Sequence, residues 1–452
     1  MKKPNLLFLI MDDQRADTIH ALGNPVIHTP NLDRLASEGI SFRPYTTVPV
    51  CTPARGELLS GCNALRNGCD WFGKPLHRSL ELLPEALRRE RYRTGIVGKW
   101  HNDRTPLEVG FDERFYDDTG VCTDTKQTLH FEEDGKRVSG NATELHAEAA
   151  ARFLRGAPRD RPWFLYVGFL SPHDPRSAPE PWAGMYRGAN KPPLPANYMP
   201  EHPFDNGDMM IRDELLEGYP RTHDAIAGHL GDYYAMISHH DHYIGAILRE
   251  LELSGEKDNT IVVFTSDHGL AIGSHGLMGK ENLYEHSCRV PFIISAPQLA
   301  KGKRLDELLC AHYDFMPTLF ELIGAKPPAS CEGISYAGAL RGETGTVRDH
   351  MFAAYRDCMR MARGDRYKLI HYLRTDRVQL FDLERDPHEQ HDLLVSWRRD
   401  AVVPPPARYK DRTVAESFNP PYYPRLTREE ADRIAGQLQQ ALMQWRSENG
   451  DA

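Results

Sequence analysis

No apolar run in this 452-residue chain approaches the roughly 20 residues that a helix needs to cross a bilayer. Positive charge is also in short supply: 55 Lys and Arg stand against 64 Asp and Glu, a formal charge of −9. A general nucleic-acid binder would carry a basic face, so that class is set aside. A local basic pocket for an anionic substrate is still allowed. Cysteine is sparse, and its eight positions (51, 62, 69, 122, 288, 310, 331 and 358) include no C-x-x-C pair. Zinc ribbons and dithiol redox sites need that close spacing. A chain this long also buries enough core to do without disulfide staples. The thiols are expected to be buried and reduced, as in a reducing compartment. Lys2-Lys3 before Leu6–Ile10 superficially resembles a secretory leader, but none is expected here: the run is too short, and Asp12-Asp13 follow with no small-residue cleavage site. The segment reads as a buried strand ending in a polar turn. The expected location is the cytoplasm, or the periplasm or exterior if a leader has been removed. Internal repeats are absent, and apolar runs such as Ile261–Phe264 recur too often for a disordered chain.

What is present is an alternation of short apolar runs and helical stretches. Strands are expected at Asn5–Met11, Thr94–Val97, Trp163–Phe169, Thr260–Thr265 and Pro291–Ser295. They are apolar throughout, as strands buried on both faces are. The pattern predicts an α/β fold: a large mixed, mostly parallel sheet flanked by helices on both faces. Thr29-Pro30 reads as a helix start and Gly39 as its stop. His223–Leu251 and Tyr313–Ile323 are further helices, and Ser171–Tyr219, rich in Pro, Gly and aromatics, is a long ordered loop of the kind that carries function. After about Thr346 the spacing tightens. Met351–Tyr355, Tyr367–Tyr372 and Val378–Leu383 suggest a small antiparallel sheet, with extended linkers at Pro404–Pro406 and Pro420-Pro421. A terminal amphipathic helix follows at Thr427–Trp445, with Glu430 completing a capping box. At roughly 100–200 residues per domain, the chain divides into a main domain, 1–346, and a C-terminal α+β subdomain, 347–452.

Three features carry chemistry. Asp12-Asp13 follows the first strand, at the sheet edge where α/β folds bind ligands. Alone, such a pair is more often a solvated acidic turn. Asp267-His268 follows another apolar strand, and alone it is a helix cap with an incidental histidine. Two such pairs after two buried strands point to one divalent cation, because adjacent carboxylates repel without one. In Cys51-Thr52-Pro53-Ala54-Arg55, Pro53 suits a first helical turn and puts Cys51 near a helix N-terminus, which favours an anion. Arg55, one turn on, can engage the same anion in bidentate fashion. A buried cysteine at a helix start is the plain alternative, but it leaves Gly56–Gly61 unexplained.

Here the chain resembles the formylglycine-dependent sulfatases of the alkaline-phosphatase-like superfamily. Cys51-x-Pro53-x-Arg55 followed by Gly61 matches the family signature. Pro4-Asn5, Asp12-Asp13 and Thr29-Pro30-Asn31-Leu32-Asp33-Arg34-Leu35 resemble its opening, and Gly98-Lys99-Trp100-His101 its Lys/His motif. Pro172-His173 matches the active-site histidine, Ser266-Asp267-His268-Gly269 the second metal pair, Gly279-Lys280 the second lysine, and Phe381-Asp382-Leu383 with Asp386-Pro387 the C-terminal subdomain. Single motifs are weak, but their joint occurrence in family order over nearly the whole chain is specific.

The resemblance implies a sulfate-ester hydrolase in which a maturation enzyme oxidises Cys51 to formylglycine. Its hydrated aldehyde would attack sulfur, then re-form and expel sulfate, which splits one hard step into two. Asp12, Asp13, Cys51, Asp267 and His268 would hold one divalent cation. Arg55, Lys99 and Lys280 would neutralise sulfate oxygens, with Lys280 also serving beside His173 to protonate the leaving alcohol. His101 would take the second proton of the hydrated aldehyde. The family often has Asn where His268 stands. Ca²⁺ is the first choice of ion, with Mg²⁺ or Mn²⁺ open because imidazole is untypical for calcium. The Asp267-His268 pair and the stretch leading to Tyr233-Tyr234 resemble glycan sulfatases of the iduronate-sulfatase type. The implied partner is a sulfated small molecule or glycan, with no nucleic acid and no membrane.

Asn102, Asp103, Arg176 and Trp182 are the candidate substrate contacts, with Tyr186 and Arg187 behind them. A solvated turn for Asn102-Asp103 and plain packing for Trp182 and Tyr186 are the equal alternatives. His239-His240-Asp241-His242 looks like a metal cluster, but neighbours on a helix diverge by ~100° and cannot share an ion. Two other functions compete. One is a phosphate- or phosphonate-ester hydrolase on the same scaffold; the other is a non-catalytic sulfated-glycan binder, if Cys51 is never oxidised.

Overall fold

The computed structural model describes residues 3–116, 128–133, 136–343, 345–394 and 426–451. Cys122 and the proline linkers at 404–406 and 420–421 lie outside the described residues. In chain order the described strands are β1 (Asn5–Met11), β2 (Ile40–Phe42), β3 (Arg93–Gly98), β4 (Glu113–Phe115), β5 (Thr128–Glu133), β6 (Lys136–Asn141) and β7 (Trp163–Gly168). They continue with β8 (Thr260–Ser266), β9 (Phe292–Ser295), β10 (Lys303–Arg304), β11 (Met351–Tyr355), β12 (Met359–Arg363), β13 (Tyr367–Tyr372) and β14 (Arg377–Asp382). Eight make one sheet in the order β10-β2-β9-β8-β1-β7-β3-β4. Only β9 runs antiparallel to its neighbours, so the sheet is mixed and mostly parallel.

Alternate residues of the central strands enter two cores. Leu6, Phe8 and Ile10 of β1 pack with Phe315, Leu319 and Leu87 on one face. Leu7, Leu9 and Met11 pack with Leu35, Phe153 and Ile244 on the other. Each face is therefore covered by helices: Phe315–Leu322 and Leu83–Arg89 on the first, and Pro30–Glu38, Ala142–Arg155 and His223–Leu253 on the second. Burial on both sides is why these strands are apolar without alternation. It contributes roughly 1.5–3 kcal/mol per large side chain.

The smaller antiparallel sheet, β11-β12-β13-β14, is also two-faced. Ala354, Ala362, Leu369 and Leu380 face the terminal helix Arg428–Glu448 through Ile434, Leu438 and Leu442. Met361, Ile370 and Tyr372 face the main part of the chain, sharing a core with Tyr45, Val50 and Tyr284. Thr427 and Glu430 form the expected capping box. At the start of Pro30–Glu38 the expected cap differs in detail: the Thr29 side chain does not cap, and its Oγ1 instead accepts from the His20 N–H at 2.9 Å. The helix Ala142–Arg155, the β5–β6 hairpin and β12 were not expected from the sequence.

Candidate active site

Four adjacent parallel strands, β8, β1, β7 and β3, end on one edge of the sheet, and the motif residues follow directly. Asp12-Asp13 leaves β1, Asp267-His268 leaves β8 and Lys99 leaves β3. The Lys99 turn needs glycine before it: Gly98 has φ +77°, and a Cβ there would lie 2.2 Å from the Gly168 carbonyl. Asp13 also sits in the left-handed region, φ +69°, unusual for a non-glycine residue. Tyr233 holds that turn. Its hydroxyl donates to the Asp13 carbonyl at 2.6 Å and accepts from the Arg15 N–H at 2.9 Å.

Cys51 opens a wholly buried helix, Cys51–Ser60, that Gly61 ends at φ +67°. Its Sγ lies 3.4 Å from Asp12 Oδ1, 3.3 Å from His268 Nε2 and 3.6 Å from Lys280 Nζ. Asp12 contacts Lys99 Nζ and lies 3.8 Å from Arg55 Nη2. Arg55 donates from Nε to Asp267 Oδ2 at 3.0 Å and from Nη1 to the Tyr166 hydroxyl at 3.0 Å. Lys280 Nζ reaches Asp13 Oδ1 at 3.0 Å. Three buried carboxylates thus face three buried cations.

The electrostatics follow from that pairing. Burial alone would raise Asp12, but Lys99, His173, Arg55 and Lys280 together hold it well below the usual carboxylate range. Burial likewise opposes ionisation of Asp13, and Lys280 outweighs it, holding that carboxyl low. Asp267 is pushed up by burial and by Asp12 beside it. Burial and Asp12 push the Cys51 thiol well up. His101, on a left-handed turn with its ring 5.7 Å from Phe72, falls to about 3 through burial and the charge of Lys99.

One ligand atom each from Asp12, Cys51, Asp267 and His268 fall within 4.8 Å of one another, as do those of Asp12, Asp13, Cys51 and His173. The donor chemistry fits a divalent cation. Three carboxylates supply hard oxygens. His268 Nδ1 faces the Gly269 carbonyl at 3.0 Å and must donate there, which leaves the Nε2 lone pair aimed at the cluster. His173 is held in the same way: Nδ1 donates to the Asp174 carbonyl at 2.7 Å, and Nε2 lies 3.9 Å from Asp13 Oδ2.

The four candidate substrate residues have the following partners within the chain. Asn102 donates to the Trp100 carbonyl at 3.0 Å, and Asp103 accepts from the Leu76 N–H at 3.2 Å while pairing with Arg78 at 3.4 Å. Both therefore serve the turn after His101. Trp182 packs edge-on against His239 at 4.6 Å, and Tyr186 binds Ser238 and the His28 N–H. Arg176 approaches His229 at 3.4 Å but leaves Nε and Nη2 unpaired. The His239–His242 run divides as helix geometry requires. His239 meets Trp182, His240 lies 3.1 Å from Ser171 Oγ, and Asp241 accepts from the Leu32 N–H at 2.8 Å. Tyr166, Tyr233, Arg212, Asp213 and Glu214 also frame the site. Sequence reading missed their roles: Tyr233 entered only as part of a stretch resembling glycan sulfatases, and the others lie in no motif.

A family model described as Sulfatase matches residues 4–325, and one described as N-sulphoglucosamine sulphohydrolase, C-terminal, matches residues 273–404. The chain is 27% identical to an N-acetylglucosamine-6-O-sulfatase of Bacteroides thetaiotaomicron, over 87% of this chain and 83% of that protein. It is 29% identical to an arylsulfatase of Clostridium perfringens, over 87% of this chain and 91% of that one. A solved structure in complex with its substrate, D-glucosamine-2-N,6-O-disulfate, shares the fold with a TM-score of 0.79 at 24% identity, covering 100% of this chain and 99% of that one.

Proposed function

This chain belongs to the sulfatase family, hydrolases of sulfuric esters, and from that premise we propose that it removes sulfate from a small sulfated sugar. The observation that supports catalysis is the placement of Cys51 Sγ among Asp12, His268 and Lys280. The sugar assignment draws on the relative named as an N-acetylglucosamine-6-O-sulfatase and on Arg176, whose unpaired N–H groups suit a second sulfate or a uronate. Our reading takes residues 1–346 as the catalytic domain and 347–452 as its C-terminal subdomain.

In this reading Asp12, Asp13, Asp267 and His268 hold one divalent cation, Ca²⁺ by preference. The ion would act as a Lewis acid toward a sulfate oxygen. Cys51 is converted to formylglycine by a transient maturation enzyme, and formylglycine supplies the nucleophilic oxygen that a protonated thiol cannot. Arg55, Lys99 and Lys280 bring positive charge to a buried pocket where sulfate oxygens would gather it. His173 donates from Nδ1 to the Asp174 carbonyl, which turns Nε2 toward Asp13 at 3.9 Å, the side from which it would protonate the leaving oxygen. His101 is the group assigned to take the second proton of the hydrated aldehyde; burial and Lys99 lower its basicity, so the role needs an opposing charge nearby when the site is loaded.

Mass spectrometry of the peptide containing residue 51 should show an aldehyde in place of the thiol. Full activity from wholly unmodified protein would sink the mechanism. Turnover is then compared on sulfated mono- and disaccharides, an unactivated aryl sulfate, and a phosphonate monoester. Efficient cleavage of the aryl sulfate with no sulfated sugar cleaved would reject the sugar assignment.

A further inference from the structure

The short 3-10 helix Asp213–Leu216 and the residue before it supply three consecutive side chains, Arg212, Asp213 and Glu214, each with a different partner beside the site. Arg212 grips the Asp174 carboxylate with its fork: Nη1 lies 3.1 Å from Oδ1, and Nη2 contacts Oδ2. Asp174 supplies the carbonyl that fixes His173 Nδ1, and its Oδ1 lies 3.4 Å from the same nitrogen. Arg212 Nη1 also donates to Asp213 at 2.8 Å, and Asp213 Oδ2 lies 3.6 Å from Lys280 Nζ. Glu214 ties down the backbone that presents Lys280, accepting from the Met278 N–H at 3.1 Å and the Gly279 N–H at 2.9 Å. The buried Arg221 holds the Glu214 carboxylate in turn at 2.6 Å.

We propose that Arg212 and Glu214 are positioning residues for protonation of the leaving group, Arg212 acting through Asp174 on His173 and Glu214 through the 278–280 backbone on Lys280. The proposal rests on the sulfatase reading above. One segment reaches both groups assigned to leaving-group protonation, His173 through Asp174 and Lys280 through Asp213 and the 278–279 backbone. A guanidinium fork suits the task because it fixes a carboxylate at two points, which a lysine cannot do. Without Arg212 the Asp174 carboxylate loses its fork partner and can turn, which takes Oδ1 from beside His173 Nδ1 and loosens the residue whose carbonyl accepts from that nitrogen. A displacement near 1 Å at a proton donor costs about 100-fold in rate. That cost falls on esters whose leaving oxygen needs a proton and hardly on those that depart as stable phenolates.

The test is a leaving-group series on the mature, metal-loaded enzyme: a nitrophenyl sulfate, phenyl sulfates of rising phenol basicity, and a sulfated monosaccharide. For Arg212→Ala the expected loss in kcat is about 3-fold on the nitrophenyl ester, growing to about 100-fold on the sugar, with KM moving less than kcat. Arg212→Lys should fall between the two, and Glu214→Gln should steepen the same dependence. An equal loss across the series, or a loss confined to KM, would overturn the proposal. Should Arg212→Ala fail to fold, as thermal unfolding would reveal, Arg212→Lys carries the test, because it keeps the charge and loses only the fork. Failure of the underlying reading looks different: wild-type enzyme would then cleave no sulfate ester. In that case the series is run on aryl phosphonates, whose leaving oxygen makes the same demand.

Discussion

Lys99 and Asp12 form a buried pair between residues 87 positions apart, and the pair changes what metal removal should do. Three carboxylates packed together would repel strongly on their own. Here Lys99, Lys280 and Arg55 face them, so the cluster is close to neutral before any ion arrives. A chelator should therefore lower the melting temperature only through lost binding energy. Lys99→Met removes one cation and leaves Asp12 short of compensation, at a cost of about 3–5 kcal/mol when no ion is bound. The drop in melting temperature on chelation should then be larger in Lys99→Met than in wild type. Scanning fluorimetry with and without chelator measures both, and equal drops would mean that Asp12 does not share the ion. The residues of this cluster were legible because each ends a strand inside a short motif. Tyr166 and Tyr233 were not. Their roles arise from contacts spanning 111 and 220 positions, to Arg55 and Asp13, which no local pattern encodes.

Among elements, legibility followed burial. β1 and β8 sit under helices on both faces and read directly as apolar runs. β12 did not, because Arg360 and Arg363 interrupt it. Those charges are tolerated inside a sheet only because Arg360 forks onto Asp451 and Arg363 reaches Glu285, partners 91 and 78 positions away. The helix Ala142–Arg155 was legible in principle, since Asn141 caps it by accepting from the Thr143 N–H at 3.0 Å. Cys51–Ser60 shows the limit of periodicity. Every residue of it is buried, so it has no polar face to reveal it, and its clearest local mark is Gly61. A side chain at that position meets two obstacles: the left-handed backbone, and a Cβ only 2.5 Å from Cys331 Sγ and 2.9 Å from Met316 Sδ. Gly61→Ala should cost about 2–4 kcal/mol from both effects together. Activity per folded molecule should change little, because Gly61 is at the far end of the helix from Cys51. Denaturant unfolding reads the first expectation and titrated specific activity the second. A stability loss below 1 kcal/mol would show that the neighbours yield freely.

Across the whole molecule, the main sheet and the C-terminal sheet are joined by buried charge as well as by shared core. Lys368 lies 2.9 Å from Glu285 and 2.7 Å from Glu389, Arg363 lies 3.3 Å from Glu285, and Tyr45 donates to Glu285 at 2.7 Å. The two glutamates respond oppositely. Burial opposes ionisation of Glu285, but Lys368, Arg363 and Arg289 outweigh it and hold that carboxyl below the usual range. Its contribution to stability is present at neutral pH and is lost as acid protonates it. Glu389 is pushed up to about 7 by burial, which the attraction of Lys368 only partly offsets, with Glu285 repelling it. An acid raised in the folded state binds more protons there than in the unfolded chain, so stability falls as pH rises. Its contribution is complete below the unfolded value near 4.5 and is lost as pH climbs through 7, with an upper size of about 3 kcal/mol. Glu389→Gln removes this titration while leaving an oxygen to accept from the Glu285 N–H, now 2.7 Å from Glu389 Oε2. Between pH 5 and 8 the variant should lose less stability than wild type, and at pH 8 it should match or exceed it. Urea unfolding at the two pH values decides the matter. Parallel losses in both proteins would assign the pH dependence to other buried acids, Glu57 at about 7, Asp241 at about 6 or Glu281 at about 8, all raised by burial, and not to the seam between the sheets.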